Sequence, residues 1–369
     1  MDKLFFKIIF PLWLGLIIIN LAMPKQSFSE SENRYLSSFP KLSVETLMNG
    51  DFMEGVDSYL NDHFAGRDNW ITAQSFMEYS IGKRESNGVF LCKDALMSDL
   101  APPNEDIVTG NINGIKAFME KYHLPSYLML VPSASAIQSE KLPHFAQVWD
   151  QKAFIEKVFS QLEGQVTPVP LYDTLRAHKD EYIYYRTDHH WTTHGAFLAY
   201  QQLSSTMKLP TSEVVDFSTN IISDDFIGTL SSKSGVYTIT PDSMNAYQTD
   251  MIEKFLVSNG KQVTERPSVY FDEFLSKKDK YAYYLGSNEP LVTIKTKSTS
   301  GKRLLIFKDS YAHSFAPFLA NDYSEIALVD LRYINTDIDD VLDVSSYDDA
   351  LFLFSTDVFA QQGLLKKLK

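Results

Sequence analysis

Apolar residues fall into two kinds of pattern along this chain. Near the amino terminus, Leu4–Met23 (LFFKIIFPLWLGLIIINLAM) is an apolar run interrupted by Lys7, Pro11, Gly15 and Asn20. Farther on, short apolar runs alternate with segments whose apolar positions recur every three or four residues. The short runs are Ser126–Val131 (SYLMLV), Arg303–Phe307 (RLLIF), Ile326–Val329 (IALV) and Ala350–Phe354 (ALFLF). Their length and lack of polar alternation read as buried strands. Helical spacing marks Asn111–Tyr122, Ala153–Leu162, Gly195–Met207 and Ala312–Asn321. It also marks Thr46–Ile81, through Phe52, Val56, Tyr59, Leu60 and Phe64. Buried strands alternating with helices predict an α/β fold, a mostly parallel sheet with helices on both faces. Residues 213–300 are rich in Ser, Thr and Tyr and read as an insertion of antiparallel strands.

The amino-terminal run has the length of a membrane crossing. About 20 residues at a rise of 1.5 Å cross the hydrocarbon core, and this run reaches that if Lys7 snorkels to the interface. Lys3 and Lys7 at its start keep that end inside. Residues 1–24 are therefore read as a transmembrane signal anchor, 25–45 as a polar stalk and 46–369 as one α/β domain. A cleaved signal peptide is the alternative, which makes the product secreted rather than single-pass in the cell membrane. Both readings place the rest of the chain on the extracytoplasmic side.

Composition narrows the function. Asp and Glu number 47 against 34 Lys and Arg, a formal charge of −13, and no basic block interrupts this. Phosphate backbones are repelled, so nucleic-acid binding is disfavoured as a role. Cys92 is the sole cysteine, which excludes an internal disulfide, a cysteine zinc site and an iron–sulfur cluster. Cys92 itself reads as a buried small apolar residue. The 20 Tyr and 25 Phe serve a large core or a carbohydrate-facing surface.

The densest chemistry lies in Tyr184–Gly195, YYRTDHHWTTHG, with Thr192 or Thr193 capping the helix that follows. A loop feeding a helix start is where ligand sites form in open parallel sheets. Three readings of it stand. His190 is a general base whose imidazole Asp188 holds. Alternatively Asp188, His190 and His194 bind a metal, the two histidines being four residues apart. Or the histidines are structural hydrogen bonders. A nucleophile for the first reading is Ser310 in Lys308-Asp309-Ser310, at a strand-to-helix turn where oxyanion donors can gather. Its bland reading is a helix cap. Asp309 reads as a turn residue, His313 and Ser314 as helix-face residues, and Tyr281, Tyr283 and Tyr284 as strand residues. Arg332 in DLRYI either steers an anion or pairs with Asp330. Trp191 either wedges the loop or stacks on sugar.

The Asp188-His189-His190-Trp191 segment, with KDSYAHSF downstream, resembles the DHHW family of bacterial exported proteins, which looks related to the SGNH-hydrolase-like domains of alginate O-acetyltransferases. Further stretches share the resemblance: ENRYLSSFP, DHFAGRDNW, NGVFLCKD, LVPSASAIQSEKLP, FIGTLSSKSG and DKYAYYLGSNEPL. It implies a three-layer SGNH-like fold and a triad of Ser310, His190 and Asp188. It implies O-acetyl transfer to a cell-surface polysaccharide, a membrane-bound O-acyltransferase as acetyl-supplying partner, and no cofactor or metal. Where the family has glycine before Asp-Ser, this chain has Lys308. Gly286-Ser287-Asn288 is the nearest match to a Gly-x-Asn oxyanion element, with Asn288 donating; Asn288 as a plain turn residue is the other reading. The expected function is an exported serine O-acyltransferase or acetylesterase. Its alternatives are a non-catalytic carbohydrate-binding or envelope-assembly protein of the same fold, and a metal-dependent hydrolase.

Overall fold

A computed structural model of the protein describes residues 5–12, 14–15, 18, 27–29, 34–209, 218–236, 238–258 and 262–368. Nine of the 20 residues of the apolar run Leu4–Met23, including all of 19–23, lie outside the described residues. Among the described residues no helix is long and apolar enough to cross a membrane. The chain divides into two compact units, residues 1–87 with 231–238 and residues 88–230 with 239–369.

The first unit carries short helices where the sequence predicts one long one. Val44–Met48, α1 (Asp51–Asp62) and α2 (Arg67–Ser80) replace the continuous helix expected over Thr46–Ile81. The breaks fall at Gly50 and Gly66, at φ +90° and +68°, where the backbone turns left-handed at little steric cost. Ser75 and Ser86 both donate to the Ser234 carbonyl, at 3.1 and 3.2 Å, which ties the short 231–238 segment to this unit.

The second unit is built on an eight-stranded sheet. In chain order its elements are α3 (Glu105–Tyr122), β1 (Ser126–Val131), α4 (Gln151–Gln161), β2 (Thr167–Pro168) and α5 (Thr193–Met207). Next come β3 (Thr219–Phe226), β4 (Asp242–Tyr247), β5 (Ile252–Ser258), β6 (Val263–Arg266), β7 (Leu291–Thr296) and β8 (Arg303–Lys308). The chain closes with α6 (Ala312–Phe315), β9 (Glu325–Val329), β10 (Asp349–Ser355) and α7 (Thr356–Gln361). The sheet order is β6-β5-β7-β9-β8-β10-β1-β2. From β9 to β2 the neighbours run parallel; from β6 to β9 they run antiparallel. Strands β5 to β7, from the Ser-, Thr- and Tyr-rich stretch, thus extend the main sheet, whereas β3 and β4 form a separate antiparallel pair.

Period-two alternation sorts each central strand between two cores. Leu304 and Ile306 of β8, with Ile326, Leu328, Leu351 and Leu353, join the cluster that α5 covers through Ala196, Leu198 and Leu203. Leu305 and Phe307, with Ala327, Val329, Phe352 and Phe354, join the cluster that α3 and α4 cover through Ile115, Phe118 and Ile155. The protein is thus a mixed α/β structure with a large, mostly parallel sheet and helices on both faces. Cys92 is buried in the first of these clusters, and burial pushes its thiol up to about 12.

Candidate functional site

Strand β8 ends at Lys308, and the chain turns sharply through Asp309-Ser310-Tyr311 into α6. Asp309 builds the turn: one carboxylate oxygen accepts from the Tyr311 amide at 3.0 Å and the other from the Ser355 amide at 2.7 Å. Burial pushes its carboxyl up against these bonds. Asp309 therefore holds the turn, as its sequence context suggests, and Ser310 stands half-buried at its apex. Lys308 takes the place of the family glycine without strain. It ends a regular strand, and the left-handed non-glycine positions among the described residues are Asn87, His123, Lys208 and Leu285.

The loop before α5 meets this turn. His190 Nε2 lies 2.7 Å from Ser310 Oγ, and its Nδ1 lies 2.6 Å from Asp188 Oδ1. Asp188 Oδ1 also accepts from the His190 amide at 3.0 Å. The other oxygen, Oδ2, accepts from the amide and hydroxyl of Thr229 at 2.8 and 2.9 Å. Asp188 and His190 are buried. Burial alone would raise the Asp188 carboxyl. The neighbouring His189 and His190 imidazoles and the bonds from His190 and Thr229 outweigh it and hold the group well below the usual carboxylate range. An ionised Asp188 keeps the His190 proton on Nδ1 and leaves Nε2 to accept from a hydroxyl.

The loop itself is organised by Asp242, the first residue of β4. Its buried carboxylate accepts from the Arg186 and Thr187 amides at 2.7 and 2.8 Å, from the Thr187 hydroxyl at 2.5 Å and from the Tyr182 hydroxyl. Thr187 Oγ1 in turn accepts from the Gly228 amide at 2.9 Å. Thr192 caps α5 through the Gly195 amide.

The remaining sequence candidates separate. Trp191 is fully enclosed, donating from Nε1 to the Tyr311 carbonyl and to Ser314 Oγ, both at 3.1 Å. Its ring packs on Tyr311 and Phe315, so it wedges the loop against the core and leaves no face for a sugar. Arg332 is committed to Asp330, at 2.9 Å through Nε and 2.5 Å through Nη2. Asn288 is exposed, and its Oδ1 accepts from Arg332 Nη2 at 3.3 Å. Among the described residues no hydrogen bond joins Asn288 or Arg332 to Ser310. Lys308, Asp330 and His313 form a buried cluster beneath the turn, with Lys308 Nζ 2.7 Å from His313 Nε2 and 3.3 Å from Asp330 Oδ2.

His194, the third ligand of the metal reading, does not gather with Asp188 and His190 among the described residues. His194 Nε2 pairs with Glu181 at 2.6 Å, away from the cluster the metal reading needs. Ligand atoms of Asp188, His189 and His190 do gather within 4.8 Å of one another. They are engaged already, His189 Nδ1 with Thr229 Oγ1 at 2.9 Å and the other two as described above.

A family model described as DHHW protein matches residues 32–121 and 106–329, most of the chain. The chain belongs to the DHHW family. A DHHW family protein from Eubacterium siraeum has a similar structure, with 25% identity, a TM-score of 0.64, and coverage of 77% of this chain and 95% of that one. Bacillus cereus PatB1 with a sulfonyl adduct is 19% identical at a TM-score of 0.63, covering 75% of this chain and 96% of that one, and shares the fold. In sequence, the chain is 23% identical over 212 residues to the probable alginate O-acetylase AlgJ of Pseudomonas syringae pv. tomato, covering 53% of this chain. The match spans about half (51%) of that relative's length.

In this DHHW protein, sequence reasoning brings Asp188, His190 and Ser310 to one place but misses what supports them. Thr229 and Gly228 lie in FIGTLSSKSG and Tyr281 in DKYAYYLGSNEPL, stretches that carry the resemblance. Asp242, in a polar Pro-Asp-Ser context, looks like a turn residue and gives no signal. Tyr281 and Tyr283 lie in the 3₁₀ turn Lys280–Tyr283, not in a strand. Tyr281 stacks directly on His190.

Proposed function

We propose that this chain is an exported O-acetyltransferase or acetylesterase with an SGNH-like fold, working through an acyl-enzyme on Ser310. The observation that carries this reading is the unbroken relay from Asp188 through His190 to Ser310, at 2.6 and 2.7 Å. His190 Nε2 takes the Ser310 proton as Oγ attacks the acetyl carbonyl carbon. The C=O π bond opens to an oxyanion. The Ser310 backbone amide at the apex is a donor for it. The oxyanion collapses, the C–O bond to the donor breaks, and His190 returns the proton to the leaving oxygen. A second hydroxyl then gives its proton to His190 and attacks acetyl-Ser310. Ser310 leaves with the proton restored.

The acceptor in this proposal is a hydroxyl of a cell-surface polysaccharide, with water as acceptor in the esterase version. The similarity to a probable alginate O-acetylase supports acetyl as the group carried. The amino-terminal run holds the domain at the outer face of the cell membrane, and a membrane-bound O-acyltransferase supplies the acetyl groups. Ser310→Ala tests the core of the proposal. Wild type should release p-nitrophenol from p-nitrophenyl acetate and yield an acetylated Ser310 peptide by mass spectrometry. The variant should do neither. An active Ser310→Ala variant overturns the acyl-enzyme.

A further inference from the structure

Two hydrogen bonds fix two points of the His190 ring. The tilt about the line through them is left to packing. Tyr281 supplies that packing: its ring centroid lies 3.8 Å from that of His190, with the planes 6° apart. His189 covers the imidazole at 3.9 Å but at 37°, and Tyr311 at 5.1 Å and 55°. Of these three, Tyr281 alone lies parallel to the imidazole. It is itself immobilised. It is 5% exposed, with His313 stacked beyond it at 6.3 Å and Tyr284 edge-on at 5.3 Å. Its hydroxyl lies 3.3 Å from both the Ser310 carbonyl and Ser314 Oγ, so one side chain touches both the base and the turn that carries the serine.

We infer that Tyr281 is a positioning residue for acyl transfer: its ring face sets the tilt of the His190 imidazole toward Ser310 and supports the imidazolium formed during attack. This rests on the acyl-enzyme reading above. A π face stabilises a cation lying on it, most strongly where water is excluded. The ionisable groups facing His190 are Asp188 at Nδ1, His189, Tyr281 and Tyr311 around the ring, and His313 within electrostatic reach.

The experiment compares wild type, Tyr281→Leu and Tyr281→Phe. With p-nitrophenyl acetate, Tyr281→Leu should lose roughly tenfold or more in kcat with KM little changed. The acidic limb of its kcat/KM profile should move down by roughly half a pH unit as the imidazolium loses its π face. Tyr281→Phe keeps the face and should recover most of both. Equal losses in the two variants, or none in Tyr281→Leu, overturn the inference. Nuclear magnetic resonance of the wild type gives a second readout that needs no folded variant. The carbon-bound His190 protons should show the upfield ring-current shift of a stacked ring; an unshifted imidazole overturns the inference. Activity surviving in Ser310→Ala would instead sink the acyl-enzyme and leave the ring-current result standing.

Discussion

A Cβ on residue 228 would stand 2.3 Å from the Cβ of Asp188 and 2.5 Å from its Oδ2. Glycine at 228 lets the β3–β4 side of the site close directly on the carboxylate, while the amide of the next residue, Thr229, donates to it at 2.8 Å. The same added atom would lie 2.8 Å from the Asp188 Cα, so rotating the aspartate side chain does not clear it. Gly228→Ala should therefore displace Asp188 and tilt His190 away from Ser310. A shift on the order of 1 Å at a reacting group is worth about 10²-fold in rate. The expected result is a fall of that size in kcat for acetyl release, with thermal unfolding still cooperative. A variant with wild-type kcat would show that the relay does not depend on this contact.

The depressed carboxyl of Asp188 makes a pH-dependent contribution to stability. Burial acts against ionisation here, but the two imidazoles and the Thr229 bonds prevail. An unfolded aspartate titrates near about 4. Between that value and the lower folded one, the unfolded chain binds a proton that the folded chain does not. Stability from Asp188 is therefore complete above about pH 4 and drains away as the pH falls further. Asp188→Asn removes it. Denaturant unfolding should give a wild-type advantage that is constant from neutral pH to about 5 and narrows below about 4. An advantage that widens toward acid would contradict the sign.

Lys308 and Arg332 share one counter-ion. Asp330, itself fully buried, lies 3.3 Å from Lys308 Nζ and 2.5 Å from Arg332 Nη2. Asp330→Ala would leave a 2% exposed lysine beside a guanidinium with no anion between them. Breaking a buried pair in this way costs about 3–5 kcal/mol. Lys308→Met leaves Asp330 with Arg332 and removes a cation whose ionised form burial already opposes. It should cost clearly less. Urea unfolding of the two variants checks the ranking, and the reverse order would mean that Arg332 alone does not satisfy Asp330.

Where burial writes itself into the chain, the sequence is readable. The central strands are apolar on both faces because each feeds two cores, so Ser126–Val131 is recovered residue for residue and Arg303–Phe307 to within one residue at its end. Half of the relay is readable because three of the eight histidines gather with Asp188 in one loop, and the resemblance to the DHHW family adds Ser310. The relay's supports are not, because they act through backbone. Asp242 gathers loop amides, Thr229 lends its amide to Asp188, and Gly228 contributes an absent side chain. None of these leaves a periodicity, and only Gly228 and Thr229 lie in a stretch that carries the family resemblance. The helix expected over Ala312–Asn321 shortens for a visible reason: Pro317 follows α6 closely, and the chain continues as the 3₁₀ segment Ala316–Asn321.

Trp191 closes the loop-to-core contact and offers a test of whether the tryptophan of the motif serves fold or ligand. Its indole N–H donates to the Tyr311 carbonyl and to Ser314 Oγ, and the ring is fully enclosed. Phenylalanine keeps much of the packing but leaves a buried carbonyl without its donor, which costs about 1–3 kcal/mol. The Tyr311 ring also packs on His190 at 5.1 Å, so a small disturbance reaches the base. Trp191→Phe should therefore lower the unfolding midpoint and reduce kcat modestly. Because the ring meets no solvent, KM for a polysaccharide acceptor should stay at the wild-type value. A raised KM with unchanged stability would reverse the assignment and put this indole in a sugar subsite.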